Sequence, residues 1–127
     1  MTDTFAKRHE VFTYAKALLE RGWCRGAPAL TRRGVPVLGR HTAKAVAYSI
    51  DGAINAAIQD CDADYQDIWQ VVAIATGKTA IQTRRLNDCS EHMSHRSAIR
   101  FAQRCLDFVS DMPITPMPIT PMKEKAA

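Results

Sequence analysis

The sequence predicts a mainly α-helical protein: a compact bundle of about four helices, with a small β-hairpin or loop inserted between the first two. Two observations carry this prediction. Apolar residues recur at spacings of three and four along most of the chain, and glycine and proline concentrate in one early segment, between Trp23 and Arg40. The chain has 127 residues, of which 46% are hydrophobic and 24% charged. This composition excludes collagen-like, purely coiled-coil and wholly disordered proteins, and the length favours one domain.

The first helix is predicted from about Thr4 to Arg21, because its apolar residues form one stripe. Gly22 follows it, and we expect this glycine to end the helix in the left-handed conformation. Beyond it, two short apolar segments flank Thr31–Gly34, which predicts a hairpin or extended loop with Arg32 and Arg33 at its turn. The stripe consists of Val11, Phe12, Ala15, Leu18 and Leu19.

The second helix is predicted from Ala43 to about Asp60, with Thr42 as its N-cap. Alanine and isoleucine repeat along it at helical spacing, which allows a close approach of neighbouring elements. Gly52 interrupts this pattern at a cost of about 1 kcal/mol relative to alanine. We therefore expect a close backbone contact at Gly52.

A third helix is expected after Asp62 or Asp64 and ends near Thr76-Gly77. Its residues are apolar almost all round, which predicts burial on most of its surface. The next segment, 78–93, is predicted as a short helix or loop anchored by Ile81 and Leu86. Asn87-Asp88 within it are typical of a turn.

The last helix is predicted from His95 to about Ser110, with Ser94 as its N-cap. Met-Pro-Ile-Thr-Pro then occurs twice in succession, from Met112 to Pro121. Proline cannot donate a backbone hydrogen bond, so polyproline II or disorder is expected there. The sequence thus divides into a helical domain, 1–110, and a proline-rich C-terminal tail, 111–127.

Several short segments stand out together: Arg21-Gly22-Trp23-Cys24-Arg25-Gly26-Ala27, a hairpin-like segment at Gly34, Ala45-Val46-Ala47, Asp51-Gly52-Ala53-Ile54 and Asn87-Asp88. In combination they resemble a family of small uncharacterised proteins found in actinobacteria and their phages. The resemblance spans roughly residues 11–109, although Leu86 stands where the family usually has tryptophan. It implies a helical fold and an origin in a phage or mobile element, and it implies no particular activity.

Basic residues are the main candidates for a binding surface. The formal net charge is +4, and arginines spaced by four on the last helix must form one stripe. Such a stripe suits phosphates or an acidic protein, because the guanidinium fork matches phosphate and carboxylate oxygens. The alternative is an ordinary solvated face. The candidates are Arg96, Arg100 and Arg104 on this helix, with Arg84, Arg85, Arg32 and Arg33 elsewhere, and with Arg40, His41 and Lys44 as further basic points.

The candidate metal ligands are Cys89, His92 and His95, since thiolate and imidazole both bind zinc. A tetrahedral site needs a fourth ligand, which would be Cys61, Cys105 or His41. The alternative is a polar loop with two surface histidines. Asp60, Asp62 and Asp64 mimic the start of a calcium loop, but the glycine and glutamate that such a loop needs are missing, which favours N-terminal helix acidity instead.

The four cysteines are expected to be reduced thiols, because the N-terminus is polar rather than a signal peptide. We expect a cytoplasmic protein, of a bacterial cell or an infected host. Cys24 lies beside Arg21 and Arg25, which could lower its pKa and make it nucleophilic; the alternative is a small buried apolar residue. No catalytic triad or phosphate-binding motif is evident.

The sequence therefore predicts a small non-enzymatic binding or accessory protein, phage-encoded and acting on a host protein or nucleoprotein complex through its basic residues. One alternative is a module that binds nucleic acid directly. The other is a metal-dependent module or enzyme built on Cys89, His92 and His95. The sequence indicates no cofactor, and it specifies neither the partner nor the oligomeric state.

Overall fold

Five α-helices and two short strands form over residues 4–37 and 44–111, the parts of the chain that the computed structural model describes. The predicted mainly helical fold with a small hairpin between the first two helices is confirmed. One helix more than the expected four is present, because the segment left open at 78–93 contains a helix. The elements are α1 (Thr4–Arg21), β1 (Ala29–Thr31), β2 (Ala45–Tyr48), α2 (Ile50–Asp60), α3 (Tyr65–Thr76), α4 (Ala80–Cys89) and α5 (His95–Ser110).

Helix α1 lies at the centre of the packing. It contacts α5 along its length and α2 on another side, while α5 also packs on α3 and α4 packs on α2. The imidazole Nε2 of His95, at the start of α5, donates to the carbonyl oxygen of Leu19, 2.5 Å away near the end of α1. The two helices are therefore antiparallel. All five residues of the predicted α1 stripe are buried, which confirms that prediction.

Two polar contacts tie the start of α1 to the region between α2 and α3. Arg8 forms a two-pronged ion pair with Asp67, with Nε–Oδ2 and Nη2–Oδ1 distances of 2.9 and 2.5 Å. Lys7 Nζ donates to the carbonyl oxygen of Cys61 at 2.7 Å. A bidentate arginine–carboxylate pair restricts geometry more than a single contact does. It therefore fixes the position of the start of α3 relative to α1.

The limits of α3 and α5 agree with the sequence predictions. Asp64 caps α3 by accepting from the backbone N–H of Gln66, and Gly77 ends the helix with a φ of 76°, in the left-handed region. Ser94 caps α5 by accepting from the N–H of Ser97. The expectation that α3 is buried nearly all round is wrong at Ile74, which is 59% exposed.

The predicted start of the second helix is wrong. Residues 45–48 form strand β2, which pairs antiparallel with β1 so that Ala29 lies opposite Tyr48. The helix begins only at Ile50, and Ser49 caps it by accepting from Gly52 N–H at 3.0 Å. A run of four residues, here two alanines, a valine and a tyrosine, fits helix and strand periodicity equally well, so the available β1 edge decided the conformation. Thr42, the predicted cap, lies outside the described residues.

The hairpin turn lies where it was predicted. Thr31 N–H donates to Val35 O, Gly34 N–H donates to Thr31 O, and Val37 N–H donates to Ala29 O, each at 2.9 Å. Arg32 and Arg33 are exposed at this turn. An isolated hairpin of this size is marginally stable, and pairing of β1 with β2 attaches it to the helices.

Helix α4 contradicts two expectations for its segment. Thr79 and Gln82 form a reciprocal capping box at its start. Ile81, expected as an anchor, is 67% exposed, whereas Asn87 is fully buried. Asn87-Asp88 therefore do not form a turn. They lie in the last turn of α4, because their side chains bond to distant segments rather than to their own backbone.

Two glycines are required by close backbone contacts. At Gly52, an added Cβ would overlap the carbonyl group of Pro28, which confirms the expected close approach. At Gly22, an added Cβ would overlap the carbonyl oxygen of Val46. Gly22 is not among the glycines with positive φ, so the expected left-handed helix end is wrong. This glycine is needed because β2 passes against it.

Candidate functional site

The arginine stripe of α5 lies on the outer face of the bundle. Arg96, Arg100 and Arg104 are all exposed, at successive turns of the helix. The opposite face of α5 is buried against α1 and α3, and it carries Ala98, Phe101, Ala102, Cys105 and Val109. The sequence therefore predicted correctly that these three arginines share one exposed face. We call them the α5 arginine face.

Arg100 and Arg104 line a shallow groove of about 160 Å³, together with Ser97 and Phe101. The groove combines two guanidinium groups, one hydroxyl and the edge of a largely buried aromatic ring. Within the described residues, none of the three arginines of the α5 arginine face makes a side-chain hydrogen bond or ion pair. Their donors are therefore available to a ligand, and the groove can accept an anionic group.

The other predicted basic residues lie on different elements. Arg84 and Arg85 are exposed on α4, and this helix packs mainly on α2. Arg32 and Arg33 are at the hairpin turn. Lys44 is exposed just before β2, whereas Arg40 and His41 lie outside the described residues. Among the predicted basic residues of the described chain, Arg100 and Arg104 line a common groove.

The predicted metal ligands are not assembled. No group of three His, Cys, Asp or Glu side chains within residues 4–37 and 44–111 is arranged to hold a metal ion. His95 uses Nε2 as a donor to Leu19 O, so that nitrogen carries a proton and has no lone pair for a metal. Cys89 and His92 are exposed at the end of α4 and in the following turn, while Cys61 and Cys105 are buried. His41 lies outside the described residues.

The aspartates near the start of α3 have structural partners instead of calcium-loop geometry. Asp64 is the helix cap, Asp67 pairs with Arg8, and Asp60 accepts a 2.5 Å hydrogen bond from the Tyr14 hydroxyl. That hydrogen bond raises the pKa of Tyr14 to about 12, with burial contributing further. These contacts agree with the interpretation of the acidic segment as helix capping and helix-start acidity.

A buried asparagine connects the sequence motifs. Asn87 Oδ1 accepts from the Trp23 indole N–H at 2.7 Å and from the backbone N–H of Ile50 at 3.0 Å. Its Nδ2 donates to Cys24 O at 3.0 Å and to Asp88 Oδ1 at 2.9 Å. Both lone-pair positions and both protons of the amide are thus used. We call this residue and its four partners the Asn87 cluster.

The loop that follows α1 is fastened to the end of α4 by further contacts. Gly26 N–H donates to Asp88 Oδ1 at 3.0 Å. The Arg25 guanidinium lies 5.2 Å from the centre of the Trp23 ring and donates to the carbonyl oxygens of Ser90 and Met93, at 2.9 and 2.7 Å. Cation–π attraction and two carbonyl acceptors hold this arginine. Arg25 therefore has a structural role, unlike the arginines of the α5 arginine face.

Residues 6–105 match the model of a family of unknown function, DUF6197. The chain belongs to this family. No curated protein and no solved structure shows significant similarity to the chain. The matched range of the DUF6197 protein contains the Asn87 cluster and the α5 arginine face. The expected membership in a family of unknown function is thereby confirmed.

Burial raises the pKa of two groups beside the Asn87 cluster in this DUF6197 protein, the Cys24 thiol and the Asp51 carboxyl. Desolvation raises the pKa of the Cys24 thiol to about 11, and the carboxylates of Asp88 and Asp51 raise it further. The nearby arginines therefore do not produce a thiolate, and the hypothesis of a nucleophilic Cys24 is wrong. Burial also raises the pKa of Asp51. Hydrogen bonds from Ser49 and from the backbone, and the positive charge of Arg84, partly oppose this rise.

The role of Asn87 in the DUF6197 protein was missed at the sequence level. Asn-Asp pairs are typical of turns, so local sequence favoured the wrong conformation. The available signal was the co-occurrence of Trp23-Cys24 and Asn87-Asp88 within one resemblance. Motifs far apart in sequence that belong to one pattern are candidates for contact in space, and here they bond to each other directly.

The described helices include none with the length and hydrophobicity of a transmembrane segment.

Proposed function

We propose that this DUF6197 protein is a small binding protein that engages an acidic partner protein through the α5 arginine face. The observation that carries the proposal is the groove lined by Arg100 and Arg104, neither of which has a side-chain acceptor among the described residues. Exposed guanidinium groups at a spacing of four form a row along one helix face. Each can donate two parallel hydrogen bonds to a carboxylate, a geometry that lysine cannot reproduce.

The polar groups elsewhere support binding rather than catalysis. The amide of Asn87 is fully used within the fold, and the raised pKa of Cys24 keeps that thiol protonated near neutral pH. Reactive nucleophiles and general bases need an accessible group with a pKa matched to its task. The α5 arginine face meets the requirements of recognition without such a group. The resemblance to phage proteins favours an accessory role on a host protein complex.

The test compares two variants that change the net charge equally. In the first, Arg96, Arg100 and Arg104 are replaced by glutamate; in the control, Arg32, Arg33 and Arg85 are replaced by glutamate. All six side chains are exposed, so both variants should fold, which circular dichroism checks. The first variant is expected to lose at least ten-fold of the partner recovered from host lysate, and the control to retain it. Equal recovery by both variants would overturn the proposal.

A direct nucleic-acid interaction makes a different prediction for the same face. Each arginine that neutralises a phosphate releases a counterion, so affinity for DNA or RNA would fall steeply as salt is added. The measurement is binding of labelled DNA and RNA by the unmodified protein over a series of salt concentrations. Tight binding that disappears with salt, and that is lost in the α5 variant, would identify nucleic acid as the ligand in place of an acidic protein.

A further inference from the structure

A second, uncharged groove lies between the hairpin region and the outer face of α2. It encloses about 480 Å³, and its lining is mostly apolar. Pro28, Val37 and Ile58 contribute to its apolar walls, together with the ring of Tyr65, which is 52% exposed. Asn55 and Gln59 supply the side-chain amides of the lining. Among residues 4–37 and 44–111, none that lines the groove is charged, in a chain that is 24% charged.

We propose that this groove binds the proline-rich repeat of the same chain, Met112–Pro121. The repeat lies outside the described residues, and its ten positions contain methionine, proline, isoleucine and threonine but no charge. An uncharged groove favours an uncharged occupant, because burying an unpaired charge is costly. The repeat is the one ten-residue stretch of this sequence that combines four prolines with apolar side chains and no charge.

The polar atoms of the groove match the needs of an extended proline-rich segment. Polyproline II has no internal hydrogen bonds, and proline has no N–H, so such a segment presents mainly carbonyl acceptors. Asn55 Oδ1 accepts from the Trp69 indole N–H at 2.9 Å, which turns the Nδ2 donor of the same amide away from that ring. Gln59 offers a second amide donor. Tyr65 adds the aromatic surface on which proline rings pack in known recognition modes.

The position of the C-terminal end of α5 makes this contact reachable. Because α5 runs antiparallel to α1, it ends beside the start of α1. Arg8 and Lys7 tie that same end of α1 to Asp67 and Cys61. Tyr65 precedes Asp67 by two residues on the first turn of α3, so one wall of the groove lies at the end of the domain where the tail begins.

The length of the repeat is also sufficient. Ten residues in polyproline II extend about 31 Å, which is close to the diameter of a domain whose radius of gyration is about 13 Å. Because one wall of the groove lies at the end of the domain where the tail begins, the repeat can reach the groove without unfolding α5. Attachment to the same chain raises the effective concentration of the repeat at the groove, so a weak contact suffices for occupancy.

The test uses the full chain and a variant with a polar tail, in which Ile114, Met117 and Ile119 are replaced by serine. Amide NMR signals are compared at the same protein concentration. The proposal predicts that the side-chain amides of Asn55 and Gln59 and the backbone amide of Val37 shift between the two proteins. The signals of the α5 arginine face should not. Coincident spectra at the groove would overturn the proposal.

A synthetic Met112–Pro121 peptide added to the polar-tail variant supplies the second measurement. We expect saturable shifts of the same groove signals, and an affinity about ten-fold weaker when Tyr65 and Gln59 are both replaced by alanine. Ile74→Ala, an equally exposed apolar residue on α3, is the matched control and should leave the affinity unchanged. If Ile74→Ala weakened peptide binding equally, the groove would not be the binding site and the proposal would be wrong.

Dilution separates the proposed contact from its main alternative. A contact within one chain keeps its groove shifts when the full-length protein is diluted a hundred-fold. If the shifts vanish on dilution while the molecular mass falls, the groove binds a second copy and the intramolecular proposal is wrong.

Discussion

Asn87 is the residue on which most of the tertiary connections converge. It is completely buried, and its one amide group bonds to the loop after α1, to the start of α2 and to its own neighbour on α4. A buried amide is stable only when all its hydrogen-bonding atoms have partners. In this protein the amide oxygen and both amide protons of Asn87 have partners, so the residue fixes the relative positions of three segments.

Replacing Asn87 by alanine is expected to lower the free energy of unfolding by about 2–4 kcal/mol, because it leaves buried N–H and C=O groups without partners. Urea denaturation measures the loss. Asn55→Ala is the matched control: Asn55 also accepts from an indole N–H, but it is exposed, so water can replace it at a cost of less than about 1 kcal/mol. Equal costs for the two variants would show that the Asn87 cluster does not organise the fold.

At the level of the elements, the join between β2 and α2 departs most from sequence expectations. Continuous helical spacing of alanine and isoleucine predicts a single long helix. Instead, Ser49 ends the strand and caps the helix, and its backbone N–H donates to Pro28 O at 3.0 Å. The same carbonyl group approaches Gly52 so closely that no side chain fits. The loop before β1 therefore rests directly on the first turn of α2.

Gly52→Ala is predicted to destabilise the protein by about 1–3 kcal/mol, since the added methyl group meets backbone rather than a movable side chain. Helix propensity alone predicts the opposite sign, a gain of about 1 kcal/mol. Thermal or urea unfolding decides between them. Ala17→Gly, at an exposed position within α1, serves as the reference and should cost about 1 kcal/mol through propensity. If Gly52→Ala stabilised the protein, the backbone at Pro28 would have to move away and make room for the added methyl group.

At the scale of the whole molecule, one apolar core joins all five described helices and contains Cys61 and Cys105. Cys24, Cys61 and Cys105 are buried, and Cys89 is exposed. Desolvation is the largest cause of the raised thiol pKa values, about 11 for Cys24 and Cys61 and about 12 for Cys105. Thiol chemistry can therefore report on the integrity of the entire fold.

A disulfide exchange reagent at pH 8 should react rapidly with a single thiol in the native protein and with all four after denaturation. The thiolate is the reacting species, and a pKa of about 11 leaves only about one part in a thousand ionised at pH 8. Absorbance of the released reagent counts the thiols. In Cys89→Ser the rapid phase should disappear while the slow phase remains. Any rapidly reacting thiol in that variant would contradict the burial of the remaining three.

Sequence patterns predicted most of the helices because the relevant interactions are local. The stripe of α1, the Asp64 and Ser94 caps, and Gly77 after α3 each depend on residues within a few positions of one another. The exposed arginine face of α5 followed from spacing alone. The failures share another feature. The helical pattern at 45–48, the turn at Asn87-Asp88 and the metal ligands at 89–95 were judged without their distant neighbours.

By itself, therefore, the sequence determined the mainly helical fold, the site of the hairpin turn and the common face of Arg96, Arg100 and Arg104. Only the tertiary structure decided that β2 is a strand, because the edge of β1 offered backbone partners. It also decided that Asn87 is buried with its amide fully hydrogen-bonded and that the His95 imidazole donates to the carbonyl oxygen of Leu19. These outcomes required a carbonyl or N–H from a segment distant in sequence, and spacing along the chain carries no information about which distant group arrives.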